Sequence, residues 1–322
     1  MLAEAYRGKA ILLTGGTGFL GTALVEKILR SLPGLGRLYL LIRASRDKSA
    51  AIRFEKDVLG SPAFLRLREQ MGDSFGDYVA EKVRVLEGDV HAPLLGLAQG
   101  DLLELSREVD VVIHSAASVV FDAPLDAAMD SNVRGTLELL RLARDWEKKP
   151  LFVHVSTAYV SGTRGGLVRE VPPADESPNG TPLDPREEIP NLEAVVREEE
   201  LASRERSLVN RFETEAKREL GMVGEEGEVA ERADQLRRAW MRERLVKRGT
   251  ERARQLGWHD VYTFTKSLAE RMVLRERGEN PLIILRPAII ESSFAEPHPG
   301  WIQGSRMVDP IIMALAKGIL QV

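Results

Sequence analysis

The sequence contains no cysteine. Disulfides, thiolate metal sites and a cysteine nucleophile are therefore excluded together. It has five histidines, His91, His114, His154, His259 and His298, and none shows metal-ligand spacing, so they read as loop or core residues. Long apolar runs are also missing. The longest, at 109–120 and 282–290, are interrupted by His114 and Arg286 and fall short of the ~20 residues that cross a bilayer. Neither charge sign dominates: 45 basic against 49 acidic residues leave a formal net charge of -4, which gives no electrostatic case for nucleic-acid binding. The N-terminus, MLAEAYRGKAILLTGG, lacks the charged, apolar, small-residue order of a signal peptide. These absences predict a soluble, cytoplasmic protein. The chain closes at Ile319-Leu320-Gln321-Val322 without a polar tail, and is expected to be the N-terminal portion of a longer polypeptide.

What is present is alternation. Short, nearly all-apolar runs at 10–14, 38–42, 83–86, 109–114 and 151–155 alternate with helical patterns at 19–32, 49–59 and 125–146. A further helix at 261–277 precedes a strand at 282–285. Strand and helix in repeated succession predict an α/β fold with a parallel sheet buried on both faces, doubly wound. Between 171 and 190 the chain is rich in Pro, Asp, Glu and Asn and reads as a loop. From 191 to 257 it is dominated by Glu, Arg, Leu and Ala, with Leu236, Trp240 and Leu245 at helical spacing. Two or three charged helices are expected there, broken near 221–227, as an insertion into the sheet-forming domain. The expected division is 1–178 for the first part of the nucleotide-binding domain, 179–257 for the insertion and 258–322 for its remainder with the start of a substrate-binding region.

The segment Thr14-Gly15-Gly16-Thr17-Gly18-Phe19-Leu20-Gly21 lies where the first strand ends and a helix begins. Glycine permits a sharp turn and close approach of a pyrophosphate, while the helix N-terminus offers amides and a positive dipole end to the anion. The spacing G-x-x-G-x-x-G, through Gly15, Gly18 and Gly21, resembles the extended short-chain dehydrogenase/reductase branch of Rossmann folds. Thr14, Thr17, Phe19 and Leu20 complete the candidate phosphate-binding turn. An NAD-specific enzyme usually places a carboxylate at the end of the second strand; here Leu40-Leu41-Ile42-Arg43 places an arginine, which suits the 2′-phosphate of NADPH. Lys48 could assist it. Asp89 and Val90 follow the third strand, where the resemblance implies adenine contact.

Tyr262 and Lys266 stand four apart in Tyr-Thr-Phe-Thr-Lys and so share one helix face. An ammonium beside the phenol is expected to lower the tyrosine pKa toward neutrality and permit proton exchange with substrate. After the fifth strand, Ser156 and Thr157 each offer a hydroxyl. By resemblance Thr157 would hold the substrate carbonyl oxygen, and Ser156 would cap backbone. Asn132, in Ser-Asn-Val-Arg-Gly-Thr, matches the family asparagine that positions the lysine. His114-Ser115-Ala116-Ala117-Ser118 matches the nicotinamide-side wall, with Ala116, Ala117 and Ser118 as cofactor contacts, and Pro287 joins them after the last strand.

Together with Gly88-Asp89-Val90-His91-Ala92-Pro93-Leu94-Leu95-Gly96-Leu97, Arg286-Pro287-Ala288 and Glu296-Pro297-His298-Pro299-Gly300-Trp301, these motifs resemble the fatty acyl-CoA reductases and, more broadly, the thioester reductases. The resemblance implies NADPH-dependent reduction of a long-chain acyl-CoA thioester to aldehyde or alcohol. It covers nearly the whole chain except 191–257. A reductase of carrier-protein-bound acyl groups, or a sugar-nucleotide epimerase or dehydratase, shares the fold and the Tyr/Lys pair; Arg43 argues against the latter, which usually recycles NAD. The basic stretch 232–254 reads as a solvated helical face, with CoA phosphates or peripheral contact to an acidic membrane as the alternative. The oligomeric state is not legible.

Overall fold

The computed structural model describes residues 2–221, 226–304 and 309–320. Six strands form one parallel sheet: β1 (Ala10–Thr14), β2 (Arg37–Ile42), β3 (Val83–Glu87), β4 (Val109–His114), β5 (Leu151–Val155) and β6 (Leu282–Leu285), in the order β3-β2-β1-β4-β5-β6. The order reverses between β1 and β4, and in such sheets a ligand is held outside the carboxyl ends of the strands at that reversal. Thr14 is there in register with Leu41 on one side and His114 on the other.

The chain packs as two compact units that interleave along the sequence. One comprises residues 1–117, 138–155 and 277–322; the other comprises 118–137 and 156–276. This cuts across the chain differently from a linear division into 1–178, 179–257 and 258–322.

In the first unit, Ile11, Leu13, Leu38 and Leu40 bury one sheet face with Val25, Ile28 and Leu29 of the helix Phe19–Ser31 and with Phe54, Phe64 and Leu67. Leu12, Val112 and Phe152 point to the opposite face by strand alternation and are fully buried as well. Burial on both faces is why these strands are continuously apolar. Within β2, Tyr39 donates from its phenol to Glu104 at 2.8 Å, inside the helix Gln99–Glu108. The helix expected at 49–59 changes pitch: Ala50–Arg53 is α-helical and Phe54–Leu59 continues as a π-helix, which keeps Phe54 and Val58 in the core.

The second unit is helical. Pro185–Ser203, Arg206–Leu220 and Glu226–Gln255 make up the charged insertion, and Val261–Glu276 follows. Part of the break expected near 221–227 lies outside the described residues, as do the last two positions of the chain. Asp184 starts the first of these helices by accepting from the amide of Arg186, with Pro185 at the first helical position. The basic stretch 232–254 has a specific packing role. Arg252 grips buried Glu188 through two bonds of 2.7 and 2.6 Å, and Arg244 grips buried Glu199 through two of 2.9 and 2.8 Å. Arg248 adds a third bond to Glu199 at 3.1 Å. These arginines recur every fourth residue and so form a ladder on one helix face. Arg232, Arg237 and Arg238 pair with Glu219 and Asp234. Near the end of the long helix, Gly249 lets it come close to Leu125 and Val261; an added Cβ would sit 3.2 Å from each. No helix among the described residues is long and apolar enough to cross a membrane.

Candidate active site

The phosphate-binding turn is built by glycines with different duties. Gly15 has φ +77°, and a Cβ there would lie 2.7 Å from the Ala116 amide nitrogen. At Gly21 a Cβ would fall 2.0 Å from the carbonyl oxygen of Gly15. The nearest neighbours of Gly21 are thus the backbone of the turn itself, so this glycine closes the turn. Gly18 is less crowded, its Cβ meeting only the Gly15 oxygen at 3.3 Å. It is also the N-cap of Phe19–Ser31 and provides no side-chain cap. A helix start without a side-chain cap, preceded by glycine, fits an anionic ligand that takes the place of the cap. Thr14 stitches the sheet ends together beneath the turn: its hydroxyl shares a 2.8 Å hydrogen bond with Nδ1 of His114 and accepts from the Ala116 amide at 3.2 Å.

Around the end of β2 the first unit gathers positive charge. Arg43 is exposed and lies 3.5 Å from the Asp89 carboxylate. Asp89 in turn accepts from the His91 amide at 3.0 Å. Sequence reasoning missed Arg53. Its guanidinium donates to the Arg43 carbonyl at 2.6 Å and to the Thr17 hydroxyl at 3.3 Å, linking the end of β2 to the glycine turn. The only available signal was its position in the helix after β2. Lys48 is drawn instead to Asp57 at 3.0 Å. Val90 is buried beside Asp89, and Pro287 is partly exposed just after β6.

Trp301, from the Glu-Pro-His-Pro-Gly-Trp motif, stacks on Phe19 with ring centroids 4.8 Å apart. Glu296 pairs with Lys27 and lies 3.3 Å from Arg30, so the motif is fastened to the phosphate-binding helix at two places.

In the second unit, the Thr157 hydroxyl lies against the Tyr262 phenol, close enough to favour its phenolate form. The insertion between them in sequence returns through buried Trp258, whose indole donates to the Val160 carbonyl at 2.9 Å and whose ring packs on Phe264 of the Tyr262 helix at 5.2 Å. Thr157 also accepts from the Tyr159 amide at 3.3 Å, which fixes its rotamer. Ser156 is buried beside it. Asn132 sits in a π-helical turn, Asp130–Arg134, and bridges two elements. Its Oδ1 accepts from the Ser118 amide at 2.9 Å and its Nδ2 donates to Thr265 Oγ1 at 3.0 Å. Thr265, also missed in the sequence, donates to the Val261 carbonyl at 2.8 Å. Asn132 therefore holds the first turn of the helix that carries Tyr262 and Lys266.

Lys266 is wholly buried, and burial pushes its ammonium down to about 8, with Glu270 pulling it back up. Burial raises the Tyr262 phenol above its ordinary value, Asp260 adds to the rise, and the Thr157 hydroxyl opposes it. The expectation that Lys266 brings this phenol toward neutrality is thereby corrected: loss of water around the ring outweighs the stabilisation of phenolate. Tyr262 is set as a proton donor.

The terminal R domain of the myxalamid PKS-NRPS pathway has a similar fold, with a TM-score of 0.53 at 22% identity over 96% of this chain and 54% of that one. An alcohol-forming fatty acyl-CoA reductase of Simmondsia chinensis is 37% identical over 324 residues, 99% of this chain and 59% of that protein. The chloroplastic fatty acyl-CoA reductase 2 of Arabidopsis thaliana is 34% identical over 314 residues, 98% of this chain and 47% of that protein. The chain thus spans about half the length of the curated relatives it matches. The family model described as male sterility protein, an NAD-binding domain, matches residues 13–322. On that match and these identities, the chain belongs to the male sterility protein family of NAD-binding domains.

Proposed function

We propose that this domain carries out NADPH-dependent reduction of a long-chain fatty acyl-CoA thioester, giving fatty aldehyde or, after a second reduction, fatty alcohol. The observation that carries the reading is the Thr157 hydroxyl set against the Tyr262 phenol, whose helix also buries Lys266. The names of its relatives in Simmondsia chinensis and Arabidopsis thaliana supply the substrate class.

Bound nicotinamide would supply the hydride. Thr157 and Tyr262 would donate hydrogen bonds to the carbonyl oxygen as it gains negative charge, which is where fixed donors lower a barrier most. Tyr262, held protonated, would deliver its proton to that oxygen in aldehyde reduction. Lys266, as an ammonium, would stabilise the phenolate left behind and hold the nicotinamide ribose. Asn132 acts on this group through Thr265 as a positioning residue. With no cysteine, this chain supplies no thiol nucleophile for a route through a covalent thioester. The test is NADPH consumption with palmitoyl-CoA: acyl-dependent loss of NADPH absorbance with release of free CoA supports the reading. No consumption by protein that binds NADPH overturns it.

Membership of the family sets the cofactor as a nicotinamide dinucleotide, and Arg43 with Arg53 favours the 2′-phosphorylated form. Each charge-assisted bond of this kind contributes about 1.5–3 kcal/mol. Arg43→Ala is therefore expected to raise KM for NADPH about tenfold or more while leaving KM for NADH within about twofold. Arg53→Ala should weaken both, because it also loosens the Thr17 side of the turn. Equal loss with both cofactors in Arg43→Ala would remove this arginine from 2′-phosphate recognition.

A further inference from the structure

The loop that follows β4 places three consecutive apolar side chains in water beside the reactive phenol. Val119, Val120 and Phe121 are 60%, 47% and 48% exposed. Such exposure is ordinary for a single residue but not for three adjacent large ones next to a site. The loop is held, not loose. At its start the Ser118 amide donates to Asn132, which is bonded to Thr265 on the Tyr262 helix, and at its end Ala123 is buried and its amide donates to the Val120 carbonyl at 3.4 Å. The ring of Phe121 meets the ring of Tyr262 edge-on at 5.8 Å. The same polar bridge that positions the catalytic helix therefore also presents an apolar ledge within reach of the group that protonates the substrate oxygen.

We infer that Val119, Val120 and Phe121 form the surface that receives the first methylenes of the acyl chain, with Phe121 as a specificity-determining residue for long apolar substituents. This rests on the reading of the domain as an acyl thioester reductase. A carbonyl oxygen on Tyr262 and Thr157 leaves the carbon chain to run past the phenol. Covering three exposed apolar side chains with methylenes removes apolar area from water on both partners, so affinity rises with chain length. A short or polar acyl group gains nothing there.

The experiment measures equilibrium binding of acetyl-, octanoyl- and dodecanoyl-CoA to the protein without NADPH, by calorimetry. Binding is expected to tighten with chain length. In Phe121→Ala and Val120→Asn the dissociation constant for dodecanoyl-CoA should rise about tenfold, and that for acetyl-CoA less than twofold. Phe121→Leu, which keeps the apolar area, should retain most of the dependence. Val120→Asn separates the ledge from any effect on the Tyr262 ring. An unchanged ratio between dodecanoyl- and acetyl-CoA in both folded variants, or no chain-length dependence in the unaltered protein, would overturn the assignment. Failure of acyl-CoA to consume NADPH is a separate result: it would remove the reductase reading while leaving the binding ratios to decide the ledge.

Discussion

Replacing Tyr262 by phenylalanine is expected to lower kcat with acyl-CoA about a thousandfold, within the range that a positioned proton donor contributes. The dissociation constant for NADPH should change less than about twofold, since the hydroxyl is the only group removed. The substitution is close to isosteric, and the ring can keep its edge-on contact with Phe121. The phenol's principal polar partner, Thr157, has the Tyr159 amide as a second bond. A Thr157→Val variant should also lose activity, but only about a hundredfold, because one of the two donors to the oxygen remains. The order of these losses is the informative measurement. Equal or greater loss in Thr157→Val, or substantial turnover in Tyr262→Phe, would mean that the proton comes from elsewhere. Rapid-quench measurement of single turnovers, with NADPH binding followed separately by fluorescence, distinguishes these outcomes from a cofactor defect.

The second large effect concerns pH. Lys266 titrates near 8 in the free protein because burial disfavours its charge. Activity that needs the ammonium should therefore fall as pH rises through about 8, and the alkaline limb of kcat/KM, which reports the free enzyme, should show an apparent pKa there. Tyr262, raised by burial, remains protonated across that limb. Stability should run the other way. An unfolded lysine titrates near 10.4, so between about pH 8 and pH 10 the unfolded chain binds more protons than the folded one. Folding therefore becomes more favourable over that window as the buried charge is lost, and the penalty for burying it is fully present below about pH 8. Lys266→Met should abolish both dependences: most activity disappears, and the melting temperature loses its rise above pH 8. A kcat/KM profile that stays flat to pH 9 would show that Lys266 is not the group whose charge the reaction requires.

Much of the fold can be read in the residues because strands covered on both faces carry little else than apolar side chains. The runs at β1, β4 and β5 match their structural bounds, and so does β6, although its Ile283 and Leu285 stay exposed on one face. Edges at β2 and β3 extend by one polar residue, Arg37 and Glu87, which apolarity alone does not mark. Among the helices that escaped are Leu65–Met71, Phe75–Lys82 and Gln99–Glu108. They are short, and their apolar positions mix with charge, so periodicity has few turns in which to emerge. The π-helical segments holding Phe54 and Asn132 were equally hidden, because one extra residue per turn leaves no mark in composition. In the candidate site, spacing points to Tyr262 and Lys266, and the family resemblance to Thr157 and Asn132. Arg53, Thr265 and Phe121 could not be found in these ways, since each matters only through a neighbour brought close by folding. The arginine ladder at 244, 248 and 252 was visible as basic charge; its partners Glu188 and Glu199 became evident only when two helices lay side by side.

The interleaving of the two units bears on how the chain comes off the ribosome. β5 ends at Val155, yet the strand that pairs with its outer edge, β6, begins only at Leu282. At a synthesis rate of about 5–20 residues per second, that edge waits on the order of ten seconds for its partner. During this interval the sheet presents a row of unpaired amides and carbonyls, the kind of surface on which neighbouring nascent chains pair wrongly. The charged insertion therefore sets a delay as well as a shape: each residue added to or removed from it lengthens or shortens the time for which the sheet stands open.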